Sequence, residues 1–188
     1  QYLDLSGMTT LNSSAPKFKK FTNTPFPVFY SGSTVYQDEI YVFGGTLSDR
    51  SHSDKVQKYN PSTDTWSQLT PMPTSRNVDV VSHNDKIYAV GGYNTLEGDY
   101  SHIDVYDIVS NTWDSSIKMP IELSAHRVGV YKDHIFIVGD YDDYRGRIFA
   151  YHISTGKWLN FSVDNLFPGR HIATIVKGDN LYTYGGNY

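Results

Sequence analysis

Along the chain, short apolar runs end in glycine at nearly even intervals: EIYVFGG (Glu39 to Gly45), KIYAVGG (Lys86 to Gly92), HIFIVGD (His134 to Asp140) and NLYTYGG (Asn180 to Gly186). The first glycines, Gly44, Gly91, Gly139 and Gly185, are 47, 48 and 46 residues apart, and Gly45, Gly92 and Gly186 follow three of them. An alternating or apolar segment precedes each of the last three runs, as in VDVVSHNDKIYAVGG, RVGVYKDHIFIVGD and IATIVKGDNLYTYGG. The joining turns, His83-Asn84-Asp85, Lys132-Asp133 and Lys177-Gly178-Asp179, have the polar residues of tight hairpins. Three intervals also carry a tyrosine and, seven residues on, a tryptophan: Tyr59 and Trp66, Tyr106 and Trp113, Tyr151 and Trp158. No segment has the periodicity of an amphipathic helix. Each period therefore predicts four short antiparallel strands, in the second period near 77–82, 86–91, 102–107 and 112–115.

A four-stranded sheet of this size cannot bury both faces by itself, so successive sheets must pack face to face around an axis, which is a propeller. The paired glycines allow backbones to crowd and to take dihedrals closed to other residues. Tyrosine and tryptophan fill the space between neighbouring sheets, where flat rings bury much apolar area.

Composition narrows the function classes. The 188 residues carry a net charge of −4, and only Lys17, Lys19 and Lys20 cluster, which excludes a surface built to track nucleic-acid phosphates. No apolar run approaches eighteen residues, so no membrane-spanning helix is expected. The N-terminal QYLDLSGMTT lacks the basic and apolar regions of a signal peptide, and the compartment, cytoplasmic or secreted, stays open. Cysteine is absent, which excludes disulfides, thiol nucleophiles and thiolate metal sites. Asn12-Ser13-Ser14 and Asn160-Phe161-Ser162 match the glycosylation acceptor pattern and matter only in a secreted protein.

The apolar run, Gly-Gly and Tyr-x6-Trp, recurring in register over nearly the whole chain, resemble the kelch repeat, and QYLDLS resembles segments of fungal kelch-containing proteins. The resemblance implies an all-β propeller of kelch type, built of four-stranded antiparallel blades whose innermost strands line a central channel and whose loops bind a partner. Two departures stand out: Gly139-Asp140 replaces Gly-Gly in the third repeat, and the N-terminal region has no tryptophan, with Phe18 or Phe21 as its substitute. Blades are expected at 29–70, 76–118 and 124–162, with a composite blade from 170–188 plus 1–22, about four blades' worth of strands. Family propellers commonly have five to eight blades. The favoured reading is therefore a segment of a longer propeller, ahead of two copies making an eight-bladed ring and of a closed four-bladed ring. An open row leaves apolar faces for association, including as a homodimer.

Fifteen residues before each first glycine stand Phe29, Arg76, Ser124 and Arg170, at the start of the inner strands, with Asn77, His126, Arg127 and His171 beside them. A ring of arginine and histidine at a channel mouth suits a carboxylate or acidic peptide. The plainer reading is that these arginines bond backbone carbonyls of adjacent blades. The loops 46–55, 93–102 and 140–147 are polar and acidic. Their Tyr93, Tyr100, Tyr141 and Tyr144 offer rigid aromatic anchors to a partner, unless they are ordinary exposed connections. Asp140, Asp142 and Asp143 lack the ligand spacing of a calcium loop, and the seven histidines show no pair at metal-ligand spacing.

No nucleophile–base pair, metal site or cofactor is legible. The expected function is a non-catalytic scaffold that binds a protein partner through its loops and channel mouth. A second reading is an enzyme on the same scaffold. Kelch-like propellers include copper radical oxidases, excluded here because their Tyr–Cys crosslink needs cysteine, and sialic acid mutarotases, which would rest on Arg76, Arg170, His126 and His171. A third reading is an architectural part of a larger assembly.

Overall fold

In the computed structural model the described residues are 2–3, 18–139, 147–162 and 170–187, with 2–3, 18–19, 170–171 and 186–187 described through their strand backbone. The alternating segments form antiparallel sheets. Strands β1 (Tyr2–Leu3) and β2 (Phe18–Lys19) make a short pair. Blade 1 is β3 (Gly32–Tyr36), β4 (Glu39–Phe43), β5 (Val56–Asn60) and β6 (Thr65–Leu69). Blade 2 is β7 (Asn77–His83), β8 (Lys86–Asn94), β9 (Gly98–Asp107) and β10 (Thr112–Leu123). Blade 3 is β11 (Arg127–Tyr131), β12 (His134–Val138), β13 (Arg147–His152) and β14 (Lys157–Ser162), and β15 (Arg170–Lys177) pairs with β16 (Asn180–Asn187). Each sheet follows chain order, and β3, β7, β11 and β15 adjoin one another in turn as the inner strands. Among the described residues β1–β2 and β15–β16 are separate sheets.

The Lys132-Asp133 turn is as expected, with Tyr131 paired to His134, and the other two hairpins are tighter than the sequence suggests. His83 pairs with Lys86 and Lys177 with Asn180, which leaves two-residue turns. Asn84 and Gly178 take positive φ there, as such turns require. Blade 2 extends beyond its expected strands because β8 and β9 continue past a bulge at Gly91–Gly92 as a ribbon, pairing Tyr93 with Asp99 and Asn94 with Gly98. The Asn94 side-chain oxygen accepts the N–H groups of Leu96 and Glu97 at 2.9 and 2.7 Å and closes the ribbon's turn.

The core lies between the sheets. Tyr41, Phe43 and Val56 of blade 1 pack against Val78, Val80, Ile87 and Tyr106 of blade 2, and Val90, Ile103 and Leu123 of blade 2 pack against Ile135, Ile137 and Phe149 of blade 3. Crowding at the glycine pairs has a definite cause. A Cβ on Gly44 would stand 2.3 Å from the Arg76 carbonyl oxygen, and one on Gly92 2.0 Å from that of Asn77, and both glycines have positive φ.

A recurrent clamp fastens the outer edge. In blade 2 the Tyr106 hydroxyl donates to the Asn111 side-chain oxygen at 2.6 Å, the same oxygen accepts Thr70 N–H at 3.0 Å, and Trp113 Nε1 donates to Thr70 O at 3.1 Å. In blade 1 Tyr59, Asp64, Thr22 and Trp66 make the same set, with Tyr59–Asp64 at 2.7 Å, Thr22–Asp64 at 2.8 Å and Trp66–Thr22 at 3.1 Å. Burial, ahead of all other causes, pushes the Tyr106 hydroxyl up to about 12. The outward faces of the end sheets stay exposed, with Val35 and Ile40 on blade 1 and Ile175, Tyr182 and Tyr184 on β15–β16.

Candidate functional site

Where the inner strands begin, β3, β7 and β11 and the β8–β9 ribbon enclose a cavity of about 920 Å³. Because side chains alternate along a strand, Asn77 and Asp79 of β7 both reach the cavity, while Val80 turns to the core. The ribbon brings Tyr93, Glu97 and Asp99 to the rim, β10 contributes Glu122, and the approach to β11 contributes Ser124, His126 and Arg127. Carboxylates thus outnumber guanidinium groups four to one among the lining residues.

Arg76, one residue before β7, turns away from this space. Its carbonyl accepts Gly45 N–H at 2.9 Å, which ties it to blade 1. Its side chain enters blade 2, where Nε donates to Gly91 O at 2.8 Å, one terminal nitrogen to Thr74 O at 3.1 Å and the other to Asp104 Oδ2 at 2.7 Å. Tyr100 lies over the guanidinium, 4.2 Å from ring centroid to Cζ, in cation–π geometry. Arg76 and Asp104 are both 0% exposed. Burial disfavours the charged guanidinium, and the Asp104 carboxylate opposes that effect. Three of the guanidinium's donors are engaged and the group is sealed from solvent, so it is not presented to an external ligand.

His126 is 2% exposed. Its Nε2 lies 3.2 Å from Val90 O, an acceptor, so Nε2 carries the proton of the neutral ring. Burial first, and the neighbouring Arg127 second, hold its pKa down at about 4. The neutral tautomer leaves Nδ1 as a lone-pair acceptor, and this buried atom has no hydrogen-bond partner. Asp79 accepts Val128 N–H at 2.8 Å, and burial pushes its carboxyl up. Arg127 donates to His126 O at 2.8 Å. Tyr93 is 40% exposed and packs edge-on against His52 at 6.0 Å.

A family model of the KLHDC2/KLHL20/DRC7 Kelch-repeats domain matches residues 3–186. The chain belongs to the kelch-repeat family. Among curated kelch proteins, Kelch-like protein 35 of Mus musculus is 30% identical over 155 residues, 77% of this chain and 26% of that protein. The fungal Kelch-like protein terF of Aspergillus terreus is 30% identical over 181 residues, 86% of this chain and 39% of that protein. This kelch chain therefore spans between about a quarter and two fifths of the length of these relatives. The solved structure of YjhT has the same fold, with a TM-score of 0.77 at 18% identity over 93% of this chain and 64% of that one.

Of the residues singled out in the sequence, the kelch blades bring Asn77, Tyr93, His126 and Arg127 together around the cavity. Arg76 and Tyr100 sit behind its wall, in the ion pair just described. Tyr141 and Tyr144, with the acidic run Asp140, Asp142 and Asp143, lie outside the described residues, as do the side chains of Arg170 and His171. The sequence reading missed the acceptors: Asp79, whose signal is its inner-strand register with Asn77, and Glu97, Asp99 and Glu122, which the ribbon and the end of β10 carry to the rim. His134 and His152 pair across β12 and β13 with ring centroids 4.4 Å apart. Among the described residues no three metal-ligating side chains converge.

Proposed function

We propose that this chain is a non-catalytic scaffold that takes a protein partner at the mouth of its kelch propeller. The cavity of about 920 Å³, rimmed by polar groups and the exposed Tyr93, carries the reading. A rigid aromatic ring beside adaptable polar groups is the composition of a recognition surface. Strands β7 and β11 are each held between neighbouring inner strands, so this part of the mouth is presented preformed and little ordering cost attends binding. Of the groups the acidic-sugar reading rests on, Arg76 is committed to Asp104 and His126 is buried, so neither is presented to a ligand as that reading requires.

The test is site-specific photocrosslinking in the cells that make the protein, with a benzophenone amino acid at Tyr93 compared with the same group at Val109, which is 82% exposed at the outer edge of blade 2. Discrete protein adducts from position 93 and none from position 109 are expected. Equal labelling from both, or adducts from 109 alone, would remove the mouth as the docking surface.

The exposed Ile175, Tyr182 and Tyr184 are the kind of face one blade offers another. We assign them to contact with further blades, in a longer chain or a second copy. Light scattering on the 188-residue chain would then show association, and a monodisperse monomer would contradict it.

A further inference from the structure

We propose that the segment seated in the mouth is basic, presenting arginine side chains to a cavity whose charged lining is mostly carboxylate. This rests on the docking reading above and names the chemistry of its occupant. Asp79, Glu97, Asp99 and Glu122 face the space, against the single guanidinium of Arg127. Arg127 is a near neighbour of Asp79, and the formal charges of the lining side chains sum to a net negative value.

The second observation is independent of that charge. His126, 2% exposed, lines the same cavity with its Nδ1 unpartnered, and its Nε2 proton is committed toward Val90 O. A buried acceptor without a donor carries a desolvation cost that a ligand N–H relieves. An anion brings no donor to that atom, whereas a guanidinium brings a planar array of them, carries positive charge to the carboxylates and stacks on an aromatic face. Tyr93 supplies such a face at the rim. Lysine matches the charge with a compact point of donors, so it fits less well. The arginine and histidine that made the mouth look anion-binding in the sequence thus have the opposite meaning: Arg76 is sealed into blade 2, and the neutral His126 accepts.

The experiment titrates the purified 188-residue chain with fluorescein-labelled pentapeptides Gly-Arg-Arg-Arg-Gly, Gly-Lys-Lys-Lys-Gly and Gly-Glu-Glu-Glu-Gly, read by fluorescence anisotropy at low ionic strength. The expected order of affinity is arginine, then lysine, with the glutamate peptide at least tenfold weaker than arginine. The variant E97Q/D99N/E122Q should lose tenfold or more for the arginine peptide. D38N/D85N/D114N removes the same charge at exposed sites away from the cavity and should bind like the parent. His126→Gln should weaken the arginine peptide more than the lysine peptide, with folding verified by circular dichroism. Equal loss in both triple variants would reduce the effect to net charge and overturn the proposal, as would tight binding of the glutamate peptide or binding of none. If position 93 still crosslinks a protein while none of these peptides binds, the docking reading stands and the basic occupant falls.

Discussion

Along the outer edge, blades 1 and 2 use one device twice: Tyr59, Asp64, Thr22 and Trp66 in the first are matched by Tyr106, Asn111, Thr70 and Trp113 in the second. At the mouth the same repeat sets Phe29, Arg76 and Ser124 at equivalent positions, and the three diverge. Phe29 is 48% exposed, Arg76 is sealed in an ion pair, and Ser124 lines the cavity. Where blades agree, the side chain answers a demand that every blade shares, the closing of an intersheet seam. Where they diverge, no such common demand acts, and the position is open to one blade's own structure or to a ligand. Blade 3 shows the edge relaxing as well, because Gly156 occupies the turn position of Asp64 and Asn111 and offers Tyr151 no side-chain oxygen.

The largest effect should come from breaking the buried pair. Arg76→Met leaves Asp104 charged and unpaired in the core and should cost about 3–5 kcal/mol of unfolding free energy in urea. R76M/D104L should recover most of that loss, because an apolar pair of similar volume replaces the ions. A mild loss in the single variant would place Arg76 with the ligand-facing groups of the mouth instead. Trp113→Ala removes both the clamp donor and a ring packed against Phe43 at 6.0 Å, and should cost about 3 kcal/mol.

A pH titration probes the mouth separately. The folded pKa of His126, about 4, lies below its unfolded value. The stability linked to it is therefore fully present above the unfolded value near 6.5, declines as the pH falls, and is gone below about 4. The wild type should lose up to about 3 kcal/mol through this window relative to His126→Gln, measured by urea unfolding at each pH. Parallel pH profiles would show that the ring does not titrate as a buried group. The smallest effects test the clamp. Asn111→Gly should cost about 1 kcal/mol, and Gly156→Asn should add about 0.5–1 kcal/mol, because a Cβ there meets only the Tyr151 hydroxyl at 3.8 Å and asparagine tolerates the positive φ.

The strands, glycine pairs and Tyr/Trp positions were legible because seams repeat, and repetition is visible without coordinates. The paired glycines even had their cause foretold, since carbonyls of Arg76 and Asn77 occupy the space a Cβ needs. Backbone carbonyls as partners of Arg76 were legible, but its pairing with Asp104 inside blade 2 was not. Register places a residue at a strand's start, but the direction of a long side chain depends on what lies across the sheet, and Asp104 sits inside IDVY as one acid in an apolar run. The carboxylates at the rim were hidden for a related reason. The segment 93–102 reads as a polar loop, and only the Tyr93–Asp99 pairing turns it into a ribbon that carries Glu97 and Asp99 to the cavity.

The contrast between edge and mouth is tested most directly by the urea unfolding free energy of E97Q/D99N/E122Q. Groups that face a ligand contribute little to folding, so the variant should unfold within about 0.5 kcal/mol of the wild type. A loss of about 2 kcal/mol or more would mean that these carboxylates hold the ribbon and the mouth together, and that the acceptors of the cavity serve the scaffold rather than a partner.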